Sequence, residues 1–439
     1  MADLSFELID WLTSSYGDEE TRATMGSLRI SVGDKDMRVP ITEVEDTVAK
    51  TVRSHINVPL GPVATWLLVN WWRLRWETRP AKPTSEWRMV HCLSGISGDD
   101  AWPALEFSSD GEFIQLRMEA ESKSDVAGIR YLRNVRFEVP AENFEAAVDE
   151  FVNVVEARFS AFLPQYKLLS ELRAELVEER KSPSVAKGCR WQALAGIDPG
   201  DAPESWISAA ETLVEEAGPK AGDEIMSVLP EFGGGLREAA RVLDMMKSSS
   251  MAVDLSWIEP AAESTSRELP WQRGMRLAKE MRKRHRLGAG PISSEVLSGL
   301  LSVHVPLPVP EQAMRVTPLS GGFRNGVTNG RTKIVWSSSR PANQRFFLAR
   351  MIGAALVLAP DEHVVPVTGR DSALQKVERS FAQEFLCPWA ALDEFTNEHG
   401  VDDEALIEAA EYFQVSEWTV RSTLVNRGKI SRDRLPSGL

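Results

Sequence analysis

Two amphipathic stretches in the last quarter of the chain constrain the fold most tightly. The first, from Ser337, reads SSSRPANQRFFLARMIGAALVLAP; the second, from Asp371, reads DSALQKVERSFAQEFLCP and ends at Pro388. Ser339 is a capping residue, Pro341 suits a first helical turn, and Phe347, Leu348, Ile352 and Leu356 recur at helical spacing. In the second stretch Leu374, Val377, Phe381, Phe385 and Leu386 mark a buried stripe, and Pro388 cannot continue a helix. The spacing therefore predicts two packed helices joined by a short loop.

The residues within that pair resemble the core of ImmA/IrrE-type metallopeptidases. In that family one helix carries H-E-x-G-H and the next carries E-x-x-A-N-x-F-A-x-x-L-L-M-P. Here FAQEFLCP is similar to the end of the second motif, whereas Arg350-Met351-Ile352-Gly353-Ala354 stands where the first would be. The resemblance extends over about residues 270–428. It implies a zincin-like domain whose zinc motif is lost: the ligand positions fall on Arg350, Ala354 and Gln375. Two His at i and i+4 clasp zinc from one helix face, and the intervening Glu serves as base. Arg350 is a fixed cation, Ala354 has no donor atom and Met351 accepts no proton. Glu378 lies about one turn beyond Gln375. No metal and no cofactor are expected. What the resemblance implies of function is regulation, stress response or phage defence, by a pseudopeptidase that binds a protein partner or a nucleic acid.

The chain has 439 residues, so more than one core is expected, and three domains are read: 1–165, 166–265 and 266–439. The whole is predicted to be α+β and multidomain, with an N-terminal α+β unit, a helical middle and the C-terminal peptidase-like domain. A net charge of −14 argues against a general nucleic-acid coat. The three cysteines, Cys92, Cys189 and Cys387, are scattered without a C-x-x-C pair, which suits a reducing cytoplasm. The N-terminus is acidic and mixed, unlike a signal peptide. The most apolar run, 56–72, is broken by Pro59, Gly61 and Pro62 and is too short for a bilayer, which needs about 20 residues. No membrane partner is expected.

Within 1–165, residues 4–12 read as a short helix and 28–41 as a hairpin. Residues 42–55 have helical periodicity, and 62–76 is a Trp-rich helix. Ser109-Asp110-Gly111 turns a second hairpin, and 141–162 is a long amphipathic helix. Trp66, Trp71, Trp72, Trp76, Trp87 and Trp102, with Arg73, Arg75, Arg79 and Arg88 nearby, invite comparison with a base-stacking surface; a small aromatic core is the plainer reading. Trp76 and His91 are the candidate catalytic residues of a second hypothesis, a nucleic-acid-acting enzyme with its centre in this unit. Adjacent His91 and Cys92 point to opposite faces if extended.

Residues 166–265 read as helical, with helices in 168–179, 204–217 and 234–246, and a polar linker at 259–266. The last domain opens on the basic amphipathic helix 271–287, whose Arg276, Lys279, Lys283 and Arg286 are candidates for gripping phosphates or an acidic partner, although such charge runs are commonly solvated faces. Residues 317–336 read as short strands with tight turns at Gly321-Gly322, Asn325-Gly326 and Asn329-Gly330. They lack the G-K-[ST] of a phosphate loop. The end, 402–428, resembles part of a helix-turn-helix in which Glu417, Thr419, Arg421, Ser422, Asn426 and Arg427 are the possible base readers.

Overall fold

Leu4 and Phe6 point inward from a strand, Asp3–Trp11, that pairs antiparallel with Met25–Asp34. The helix expected over 4–12 is therefore absent: Leu4, Leu8 and Trp11 mimic helical spacing, but the alternation of Leu4, Phe6 and Leu8 against Ser5 and Glu7 satisfies a pleat. Residues 42–55 also differ from expectation. They form the strands Val44–Asp46 and Thr51–Arg53, and Ile56–Pro59 then pairs with Met25–Asp34. Asp46 makes this hairpin by accepting from the Val48 and Ala49 amides at 3.1 and 2.8 Å, and the β-branched Val44, Thr51, Val52 and Ile56 favour the sheet.

The computed structural model describes all residues except 1, 16, 35–36, 97–100, 122–127, 262–267, 312–316, 325–330 and 436–439. Among the described residues it is a mixed α+β, multidomain architecture with several small antiparallel sheets. Among the described residues no helix is long and apolar enough to cross a membrane. The chain divides into two compact units, Met1–Ile207 and Ser208–Leu439. The division falls inside the stretch read as a separate helical domain.

In the first unit the hairpin of Glu106–Ser109 with Phe113–Met118 turns where expected; Asp110 accepts from the Glu112 and Phe113 amides, and Gly111 sits at φ 98°. The Trp-rich segment is two helices, Leu60–Val69 and Trp71–Trp76. They break at Asn70, whose side chain donates to the Trp66 carbonyl at 2.9 Å. Ala141–Phe162 buries Phe144, Val148, Phe151, Val155 and Phe159 along one stripe. Leu168–Lys181 and Pro183–Leu194 pack against the Trp-rich pair and give Leu169, Leu176, Cys189 and Ala193 to the same core.

The second unit has its own core. Its sheet runs Ala252–Asp254, Arg331–Val335, Leu319–Arg324 and Val364–Thr368, all antiparallel. Gly321, at φ 146°, leaves room that a Cβ would lose to the Val365 carbonyl oxygen at 2.2 Å. The turns at Asn325-Gly326 and Asn329-Gly330 lie outside the described residues. Pro219–Val228 packs on Val364–Thr368, and Gly235–Ser248 covers Leu319–Arg324 and Arg331–Val335. Pro341–Ala355 and Ala373–Leu386 form the expected pair, and Pro270–Arg284 lies along the second of these. Trp389–His399, Asp403–Phe413 and Glu417–Asn426 complete the unit, the last two joined through left-handed Gln414 and the cap Ser416.

Candidate functional site

The helix Pro341–Ala355 begins with proline at its first turn and is capped by Arg340 rather than Ser339, without a side-chain bond. Its polar residues turn inward. Arg345 is buried, donating to the Gln414 carbonyl at 3.0 Å, to Ser294 Oγ at 2.9 Å and to the Ile292 carbonyl. Arg350 follows five residues on. Its Nη2 donates to the Thr368 carbonyl at 2.7 Å and to Gln375 Oε1, and lies 3.4 Å from Glu378 Oε2. Ala354 is fully buried in the apolar core, as are Met351 and Ile352.

Ala373–Leu386 supplies the other side. Ser372 caps it by accepting from the Gln375 amide. Gln375 then closes every valence it has: Oε1 also accepts from the Thr368 amide at 2.8 Å, while Nε2 donates to the Pro366 carbonyl at 3.3 Å and to Glu378 Oε1 at 3.1 Å. Both Gln375 and Glu378 are fully buried. From Pro219–Val228 comes Glu224, also buried. Removal from water lifts its carboxyl to about 7, against the opposing pull of Ser372, Arg379, Arg350 and Gln375. Burial likewise pushes Glu378 well above the carboxylate range, with Arg350 pulling it down and Glu224 raising it further. Burial lowers Arg350 to about 10, countered by Glu378. The guanidinium thus stays charged near neutrality, tying strand Val364–Thr368 to helix Ala373–Leu386 from its own helix.

The zinc site implied by the motif does not fit these residues. A structural or catalytic zinc takes thiolate, imidazole or carboxylate donors; positions 350, 354 and 375 offer a cation, a methyl group and a fully engaged carboxamide. Among the described residues no group of three or more His, Cys, Asp or Glu side chains is placed to hold a metal ion. The space between Gln375, Glu378 and the Thr368 carbonyl contains a guanidinium.

Of the candidates of the first unit, His91 is interior and Trp76 is half-buried against the core. His91 is fully buried, its Nδ1 2.9 Å from the Phe107 carbonyl oxygen and its Nε2 2.9 Å from Glu77 Oε2, with Trp87 stacked on the ring at 4.1 Å. Glu77 also receives Arg73 Nε at 2.7 Å, and Arg73 reaches Asp198 at 3.0 Å. Burial opposes ionisation of Glu77, but His91 and Arg73 together hold its carboxyl below the usual range. Trp76 meets two guanidiniums, Arg75 and Arg190, each 3.9 Å from its ring centroid. Burial, with Arg75 nearby, lowers Arg190 to about 10. Trp66, Trp71, Trp72, Trp87 and Trp102 are buried, and the Trp66 and Trp72 indole nitrogens donate to the Met89 carbonyl and to Glu179. The cluster fills the core; its rings are not laid out as a stacking surface.

The basic helix ends at Arg284, earlier than its charge pattern suggests, and Arg286 lies beyond it at φ 52°. Arg276 is taken up by Glu268 and Glu280 at 3.1 and 3.0 Å. Lys279, 61% exposed, is 3.9 Å from Glu384. Lys283 and Arg286 are exposed and have no ion-pair partner among the described residues. Arg282, which the sequence left unremarked, is buried on the carbonyls of Phe385, Gly288 and Gly290. Arg427 comes from the far end of the chain to meet this helix, with Nη2 3.4 Å from Met275 Sδ and its guanidinium 5.3 Å from the Trp389 ring centroid. Of the other possible base readers, Thr419 and Arg421 are buried, and Arg421 pairs with Asp403 at 2.9 Å.

Comparison with protein-family models, with curated proteins and with solved structures found no match.

Proposed function

We propose that the chain is a non-catalytic binding protein of the regulatory or phage-defence kind, in which a peptidase-like scaffold serves recognition instead of hydrolysis. The observation that carries this reading is Arg350. A largely buried guanidinium, its side chain 12% exposed, bonded to the Thr368 carbonyl and Gln375 and paired with Glu378, stands where the resemblance would put the first zinc-binding His. A metal-activated water needs an open coordination position and a nearby base. Here the position is filled by a side chain, and the nearest carboxyl groups are buried and drawn toward their neutral form. What supports the reading is that the two helices, the capping Ser372 and the close approach of Gly353 to Phe381 form around the guanidinium with no ligand residue in place.

The test is the metal content of the purified protein, measured together with cleavage of unfolded casein with and without added zinc. The expected result is no stoichiometric zinc dependent on Gln375 or Glu378 and no metal-dependent cleavage. Stoichiometric zinc lost in Glu378→Gln, accompanied by proteolysis, would overturn the reading.

A further inference from the structure

A stripe of residues along Pro270–Arg284 faces outward: Trp271, Met275, Lys279 and Lys283, each four residues from the last. Successive members are one helical turn apart and rotate slowly about the axis. Trp271 is 39% exposed and Lys279 61% exposed. The flank of the stripe is closed from the far end of the chain by Arg427, seated on Met275 Sδ and over the half-buried Trp389. Lys429 also lies 5.9 Å from the Trp389 ring centroid, though its ammonium is taken up by Asp393, Thr396 and Asn397. One carboxylate faces the remaining cations: Glu384 pairs loosely with Lys279 at 3.9 Å and attracts Arg427. Glu280 pairs with Arg276, and Glu384, buried beneath Lys279, accepts from the Trp389 amide at 3.2 Å. Lys283 and Arg427 have no ion-pair partner among the described residues.

We propose that this stripe, with Arg427 and Trp389 on its flank, is a binding face for single-stranded nucleic acid. The proposal rests on the non-catalytic reading above and names its partner class. Single-strand binders join a cationic track to aromatic rings that stack on bases without sequence preference. Lys279, Lys283 and Arg427 supply the track, and Trp271 supplies an accessible indole at its end. An acidic protein segment would gain only solvent-exposed ion pairs here, each worth no more than about fivefold in affinity. A stacked base adds roughly 5- to 100-fold. The stacking residue therefore decides between the two. With the whole chain at −14, long-range attraction is absent and binding depends on the local patch.

The experiment uses the full chain in EDTA and follows anisotropy of fluorescein-labelled dT12 and rU12 from 50 to 200 mM salt. Three phosphate contacts predict a log–log slope of about −2, and Lys283→Gln with Arg427→Gln reduces it by about 1.4. Trp271→Ala weakens binding roughly 5- to 100-fold while leaving the salt slope unchanged. Lys82→Gln with Lys167→Gln, the same charge change on the first unit, leaves binding as in the wild type. Thermal melts confirm that every variant is folded. Absence of salt-dependent binding, binding insensitive to both patch variants, or a twelve-residue polyglutamate peptide binding more tightly than dT12 overturns the proposal; the last result assigns the face to a protein. Because the zinc and casein assays are read separately, failure here leaves the non-catalytic reading to its own test.

Discussion

Arg350 shows how one residue type settles what a scaffold holds. A guanidinium is planar, permanently charged and a multiple donor, so it donates to a carbonyl and a carboxamide while its charge faces a carboxyl group. Removing it while Glu378 and Glu224 stay buried leaves charge or unmet polar groups without a partner. Arg350→Met is expected to cost about 1–3 kcal/mol of stability, because the Thr368 carbonyl and Gln375 lose a buried donor while Glu378 can take up a proton. Adding Glu378→Gln to that variant restores a share, because the carboxyl group that Arg350 drew toward its charged form goes with it. Arg350→Lys recovers less, since an ammonium lacks the fork that reaches Thr368 and Gln375 at once. Chemical denaturation of the two single variants and the double variant yields the coupling energy; simple additivity would show that the contact contributes nothing of its own.

Gly274 does for two elements what Arg350 does for one site. A Cβ there would lie 2.0 Å from Ser380 Oγ and 2.3 Å from the Val377 carbonyl oxygen, so Pro270–Arg284 approaches Ala373–Leu386 more closely than any side chain permits. Gly274→Ala is expected to destabilise by about 1–3 kcal/mol through overpacking against a rigid backbone, and a melt unchanged from wild type would mean that the helices slide apart freely. Gly353 is more forgiving, because its neighbour is the Phe381 side chain at 3.0 Å.

Elements of this length were legible in the sequence: Pro341–Ala355, Ala373–Leu386 and Ala141–Phe162 carry four or more periodic apolar residues each, enough to fix type and face. Residues 4–12 were not, because nine residues of alternating sequence fit both periods and only pairing with Met25–Asp34 decides between them. Residues 42–55 were hidden in the same way, since a three-residue strand carries no period. Of the candidate sites, Arg350 and Gln375 were singled out only through the family resemblance, not by anything in their own spacing. Glu224, more than a hundred residues upstream, carries no local sign that it will share their environment. Arg427 was read as a possible base reader, but its place beside Met275 arises only from the packing of the terminal helices.

On the scale of the whole molecule, two cores imply two cooperative transitions, and two buried carboxyl centres make them respond to pH in opposite senses. In the second unit the folded-state value of Glu224 is raised to about 7 from an ordinary 4.5. The stability it contributes is fully present below about pH 4.5 and is lost as pH rises through 7. From a shift of that size the loss is on the order of 3 kcal/mol. In the first unit Glu77 is held below its ordinary value by His91 and Arg73 despite burial. Its contribution is present above about pH 4.5 and is lost as pH falls through the lower folded value. The separate variants isolate each centre. Glu224→Gln is expected to flatten the fall between pH 5 and 8 in one calorimetric transition and leave the other in place. Glu77→Gln lowers the stability of the other transition near neutrality and removes its acid sensitivity. Phe151→Ala, a cavity in the first core worth about 3–5 kcal/mol, identifies which transition is which. A single transition shifted equally by Phe151→Ala and by Glu224→Gln would show that the two cores unfold as one, and the opposed pH responses would then appear only in the sum.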